Sequence, residues 1–168
     1  MLRQPTPISD QRGSFAELWR SSWTAGAGEV FVQANLSRSR AGVLRGMHFH
    51  RGQVDLWVLL EGRALAATTD LRPLIKGTGR RVASQLIEMS AGTALMIPRV
   101  VAHGFLAVEE AALLYLVSNE YDGTDEHGFA WNDPTAAIRW PTETPIVSER
   151  DRANPTLDEV IARLGQHS

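Results

Sequence analysis

The chain contains no cysteine. Disulfides, zinc–thiolate centres and thiol nucleophiles are excluded by that alone. An excess of one charge is also missing: 17 basic residues stand against 19 acidic ones, interspersed, for a net charge of −2. That balance leaves no electrostatic footprint for nucleic acid or an anionic membrane. A few converging arginines can still hold a small phosphorylated ligand, because guanidinium meets phosphate in fork geometry. No apolar run approaches the ~20 residues needed to cross a bilayer. The opening stretch MLRQPTPISD lacks the apolar core of a secretion signal, so a cytoplasmic protein is expected. There is no internal repeat and no low-complexity linker.

What is present suits one domain spanning residues 1–168, with 43% hydrophobic residues to build a core. Short β-like runs separated by Gly, Pro and Asp fill most of the chain. They are FAELWR (15–20), EVFVQANLS (29–37), GVLRGMHFH (42–50), LWVLLEG (56–62), RALAATTDLR (63–72), RVASQLIEM (81–89), TALMIP (93–98), AHGFLAV (102–108) and AALLYLVS (111–118). So many strands at this spacing predict an all-β sandwich or barrel, with Gly62 and Gly92 as turn residues. Near the end, Asn154 as N-cap and Pro155 at the first helical position predict a short helix over TLDEVIARLG, closed by Gly165.

The densest chemistry lies in RGMHFHRGQVD, residues 45–55. The i, i+2 spacing of His48 and His50 puts both imidazoles on one face of a strand. HFHRGQVD followed by Gly62, and GTALMIPRVVAH from Gly92 through Pro98 to His103, resemble the two metal-binding motifs of the cupin superfamily. Asp55 stands at the usual glutamate place, and Val100 where the second motif prefers glycine. This resemblance implies a double-stranded β-helix (jelly-roll). It leaves open a metal reading in which His48, His50, Asp55 and His103 hold Fe(II), Mn(II), Ni(II) or Zn(II).

A longer resemblance covers Asp10 to Pro155. DQRGSFAELW, VQANLSRSRAGVLRGMHF, DLR, IPRVVAHGF, LLYLVSNEY, WNDP, IRWP and SERDRANP occur in order and at compatible spacing. They are similar to the dTDP-4-dehydrorhamnose 3,5-epimerase family, a metal-free branch of the cupins. The resemblance implies removal of a proton beside a ketone of a nucleotide-linked 4-keto-6-deoxy sugar and its return to the opposite ring face, without a cofactor. It puts the base on His48, its carboxylate partner on Asp151 and the acid on Tyr115. Arg12, Glu17, Gln33, Asn35, Arg45, His103, Glu126 and Arg150 match positions that bind the nucleotide-sugar, and Tyr121 is read as lining the sugar site or, equally, as a core aromatic with its hydroxyl at the surface. It also implies a homodimer in which N-terminal strands complete the neighbouring sheet.

Three positions depart from that family. Asp55 stands where a lysine is usual, Ala66 where an aspartate is usual, and His50 where a glutamine is usual. A carboxylate facing an enolate repels it, and Lys76 is a possible substitute cation. His50 and Asp55 together restore the cupin metal pattern. Either an ion acts as electrophile, or the pocket is retuned for another sugar. The second is the expectation, because a metal on His48 would occupy the lone pair that a base needs. A non-catalytic nucleotide-sugar binder is a further alternative. His50 is otherwise read as a pocket-wall or surface residue, His127 and His167 as solvated, and Trp131 and Trp140 as structural. Asp133 before Pro134 and the GRR stretch at 79–81 are read as turns.

Overall fold

The computed structural model describes residues 2–3, 6–24, 29–75, 77–79 and 82–165. Lys76, the two arginines of GRR and His167 lie outside the described residues. Two five-stranded antiparallel sheets face each other. The first runs β1 (Leu2–Arg3), β9 (Ala94–Ile97), β6 (Asp55–Glu61), β11 (Ala111–Val117), β4 (Gln33–Ser39). The second runs β12 (His127–Gly128), β5 (Leu44–Phe49), β10 (Val101–Ala107), β7 (Arg63–Asp70), β8 (Ser84–Ser90). This is the expected jelly-roll. A separate hairpin pairs β2 (Ile8–Asp10) with β3 (Gly13–Phe15).

Period-two alternation builds three apolar layers. Trp57, Leu59, Leu95, Ile97 and Leu113 of the first sheet meet Ala64, Ala66, Met89, Phe105 and Ala107 of the second. The alternate residues Leu56, Val58, Leu114 and Leu116 lie on the first sheet's outer face under Leu18, Trp19 and Phe31. On the second sheet, Met47, Phe49, Ala67 and Ala102 are covered by Phe129, Ala136 and the C-terminal helix residues Leu157, Val160 and Leu164. Strand β6 is thus buried on both faces, and LWVLL accordingly reads as a continuous apolar run. Ala66 is wholly buried in the inter-sheet core.

The strand expected over FAELWR stops at Phe15, because among the described residues of one chain no strand pairs with residues 16–20 to complete a ladder. Among the described residues four helical segments form, where one was expected: α1 (Ser21–Thr24), α2 (Arg72–Ile75), α3 (Glu149–Arg152) and α4 (Leu157–Gly165). The first three are single turns, too short for a periodic signal. Helix α4 begins two residues later than its expected start. Its cap is Thr156, whose Oγ1 accepts from the Glu159 N–H at 3.3 Å while Glu159 Oε2 accepts from the Thr156 N–H at 2.8 Å. This reciprocal pair is a capping box. Val100, at the glycine-preferring motif position, has a φ of 62°, a conformation that favours glycine.

Asp133 does more than turn the chain. Its buried carboxylate accepts from the Thr135, Ala136 and Leu157 N–H groups at 2.8, 3.0 and 2.9 Å, tying helix α4 onto the second sheet. Asp133→Ala should cost about 2–3 kcal/mol, the scale of charge-assisted hydrogen bonds lost from a buried site, and Asp133→Asn less. Urea unfolding monitored by tryptophan fluorescence checks this. A loss below about 0.5 kcal/mol, within the range of a neutral surface change, would show that helix docking does not depend on Asp133.

Candidate active site

The apolar filling between the sheets gives way at one end to a cleft of about 560 Å³, a size that suits a small organic ligand. Alternation decides its lining: Gln33, Asn35 and Ser37 from β4, Asp55 and Trp57 from β6, and Leu113, Tyr115 and Val117 from β11. Arg45 and His48 on β5, with His50 just beyond it, and His103 and Phe105 on β10 face them. The predicted common face of His48 and His50 is therefore observed. Strand β10 lies unusually close to β5. A Cβ on Gly104 would fall 2.7 Å from the Arg45 carbonyl oxygen and 2.9 Å from Met47 Sδ, so glycine is required there. The approach sets His103 directly across the ladder from His48.

His48 Nε2 lies 2.6 Å from Asp151 Oδ1. The carboxylate's other oxygen accepts from the Gly46 N–H at 3.2 Å. Asp151 is held in place by α3, where Ser148 caps the turn and accepts from the Asp151 N–H at 3.1 Å. Burial pushes the Asp151 carboxyl upward, but the hydrogen bond and charge of His48, with the Gly46 and Ser148 contacts, outweigh it and hold the group below its ordinary value. An ionised carboxylate accepts a hydrogen bond from Nε2–H, leaving the His48 Nδ1 lone pair available. Tyr115 projects from the opposite sheet. Burial raises its phenol above 10.0, with Asp55 and Glu126 pushing the same way against Arg45, so it keeps its proton throughout the neutral range.

At the mouth, Gln33 Nε2 donates to Asn35 Oδ1 at 2.9 Å, and Gln33 Oε1 accepts from the Tyr121 N–H at 3.0 Å. Tyr121 is exposed on the cleft rim rather than in the core. Arg150 pairs with Glu126. Arg45 donates to Ser39 Oγ at 3.0 Å and to the Arg38 carbonyl at 3.4 Å.

Two of the expected substrate contacts fall elsewhere within one chain. Arg12 lies on the β2–β3 hairpin, 86% exposed and paired with Asp10, and Glu17 pairs with Arg20. Neither lines the cleft. The four-residue metal set is also corrected. His50, Asp55 and His103 converge, with one potential ligand atom from each within 4.8 Å of the others, but His48 is not among them. Burial drives the His103 imidazole down to about 4 against the pull of Asp55. His127 is not simply solvated: it stacks on Phe49 with ring centroids 5.1 Å apart. Trp140 is structural as read, its Nε1 donating to the Trp131 carbonyl at 2.9 Å.

Sequence reasoning passed over several lining residues. Asp125 accepts from the Arg51 and Gly52 N–H groups at 2.7 and 2.8 Å, fastening the 119–126 loop to the end of β5. Gln53 and Trp57 flank Asp55 at period two and were legible by the rule that paired His48 with His50. Ser148 and Asp151 also carry the three-residue spacing of a helix cap.

The fold and site together define a cupin-type β-barrel with an imidazole–carboxylate pair on one wall and a phenol on the other. Among the described residues no helix is long and apolar enough to cross a membrane. The chain belongs to the dTDP-4-dehydrorhamnose 3,5-epimerase family, whose model matches residues 1–159. The enzyme of that name from Escherichia coli is 36% identical over 169 residues, covering 96% of this chain and 91% of that protein. A dTDP-4-dehydrorhamnose 3-epimerase from Streptomyces niveus is 36% identical over 155 residues, covering 88% and 74%. Among solved structures, the dTDP-6-deoxy-D-glucose-3,5-epimerase of Legionella pneumophila, in complex with dTDP-4-keto-L-rhamnose, superposes with a TM-score of 0.85 at 29% identity, covering 97% of this chain and 90% of that one.

Proposed function

We propose that this protein epimerises a nucleoside-diphosphate-linked 4-keto-6-deoxy sugar at C3, C5 or both. The observation that carries the reading is the placement of the His48–Asp151 pair and the Tyr115 phenol on opposite walls of one cleft. A ring lying between them meets a base on one face and a proton donor on the other. His48 Nδ1 takes the proton beside the ketone, and the C–H electron pair forms the enolate double bond. Asp151 holds the tautomer and stabilises the resulting imidazolium. Tyr115 then donates a proton from the other side. Arg45 and Arg150 suit the pyrophosphate, whose negative charges forked donors meet well, while Gln33, Asn35, Tyr121 and Glu126 surround the rest of the ligand. A panel of nucleotide-linked 4-keto-6-deoxy sugars incubated in deuterated water tests this by mass. Uptake at the epimerised carbons is expected with at least one dTDP-linked member, and no uptake with any member would defeat the reading.

A homodimer accounts for Arg12 and Glu17. Arg12 sits on an N-terminal hairpin whose Ile8 and Phe15 are 73% and 65% exposed, and Glu17 follows that hairpin directly, an arrangement suited to reaching a second copy's cleft. In a two-fold dimer the two copies contribute reciprocally. Arg12→Ala and His48→Asn should each be inactive alone, yet a re-associated one-to-one mixture should recover about a quarter of wild-type activity, because half the dimers carry one intact site. A mixture no more active than its parents would return Arg12 to a role within its own chain.

A further inference from the structure

The corner formed by His50, Asp55 and His103 brings one ring nitrogen of each histidine and a carboxylate oxygen within 4.8 Å of one another. His50 Nδ1 lies 2.6 Å from the Asp125 carbonyl oxygen, and His103 Nδ1 lies 3.0 Å from that of Val101. A carbonyl only accepts, so each Nδ1 carries a proton and each neutral ring keeps its lone pair on Nε2. Asp55 Oδ1 is taken by the Gln53 amide at 2.7 Å, which leaves Oδ2 facing His103 Nε2 at 3.5 Å. All three side chains are buried or nearly so. Ring nitrogens and a carboxylate oxygen converging inside a protein are satisfied by a bound cation or by a proton on one ring. Backbone carbonyls that fix imidazoles with Nε2 free are the usual outer support of metal-binding histidines.

We propose that His50, Asp55 and His103 form a binding site for one divalent first-row transition-metal ion. Two imidazoles and a carboxylate suit Fe(II), Mn(II), Co(II), Ni(II) or Zn(II). Ligand atoms at 2.0–2.2 Å from one ion stand roughly 3.0–3.5 Å apart, a spacing that the His103–Asp55 pair already has. The competition foreseen between base and ligand does not arise, because His48 Nε2 is bonded to Asp151 and His48 is outside the converging group. All three ligands line the cleft, so the remaining coordination positions open toward it. If the epimerase reading holds, an ion held by His50, Asp55 and His103 would supply positive charge in the cleft, the chemistry that polarises a ketone and stabilises an enolate oxygen, while the proton still goes to His48. This second part rests on that reading; metal binding does not.

The test uses the full chain, stripped with chelator and reloaded with Co(II). Elemental analysis gives the ions bound per chain, and the visible cobalt band reports the ligand field. Wild type and His48→Asn should each hold about one ion per chain. Asp55→Asn and His50→Gln should each lose at least ~10–100-fold in affinity, the scale of disturbing even the outer support of a metal. Three results would overturn the site: no uptake by wild type, unchanged uptake in both ligand variants, or a loss in His48→Asn equal to that in Asp55→Asn. For the electrophile role, deuterium uptake into the 4-keto sugar should fall on chelation and return with metal. Uptake indifferent to chelation removes the ion from the reaction. A loaded protein that exchanges no sugar in the panel overturns the epimerase reading and leaves the metal site standing.

Discussion

His48→Asn is expected to abolish uptake of solvent deuterium into the 4-keto sugar. The loss follows from what the side chain supplies. General-base catalysis is worth about 10²–10⁴-fold, and the cleft offers no second imidazole paired with a carboxylate as His48 is with Asp151: His50 and His103 converge on Asp55 instead. Asp151→Asn should slow the same exchange heavily without removing the base. The amide can still accept from the ring, but it no longer neutralises the imidazolium formed on proton capture. Both variants should still bind nucleotide, because the arginines at the rim are unchanged. Exchange by His48→Asn at the wild-type rate would take the base assignment away from this residue.

Tyr115→Phe is expected to separate exchange from inversion. The variant keeps the His48–Asp151 pair, so the carbon acid should still lose its proton and regain deuterium from the same face. Return from the opposite face should fall by about 10²–10⁴-fold, the range for a positioned proton donor. Retained configuration with deuterium incorporated, read by mass and NMR on one sample, is the expected signature. Undiminished inversion would move the acid role to Tyr121. The phenol also has a testable titration. Its ordinary value is 10.0, and burial followed by the Asp55 charge raises it. A raised value means that the proton is kept as pH climbs past 10.0 and lost only above it. The difference in alkaline ultraviolet titration between wild type and Tyr115→Phe isolates this group. A midpoint below 10.0 would contradict the buried setting.

The β-architecture was legible because strand alternation is a local property. Eight of the nine β-like segments contain a strand, since a two-faced sheet needs the period-two or continuous apolar patterns that those segments carry. FAELWR misled because composition suits a strand while pairing depends on a partner that the pattern cannot name. Helix α4 was legible from its termini, but its start was misassigned to Asn154. TLDE, with Thr156 and Glu159 three apart, was the better signal.

At the site, sequence by itself determined which residue types were available and which face they shared. The family match named His48, Asp151 and Tyr115, and spacing put His48 and His50 on one side of a strand. Only the tertiary structure decided how the two histidines part company. Asp151 reaches His48 across 103 positions of chain, and the Asp125 carbonyl reaches His50 across 75. Those partners fix which ring nitrogen carries hydrogen, and so which nitrogen can do chemistry. Arg12 and Glu17 likewise match a motif in sequence yet fall outside their own chain's cleft, because the hairpin that bears Arg12 and precedes Glu17 pairs with neither five-stranded sheet. The physical reason is common to these cases. Side-chain direction along a strand repeats every two residues and is written locally, whereas a hydrogen bond or a ligand set depends on atoms brought within about 3 Å by chain closure over many tens of residues.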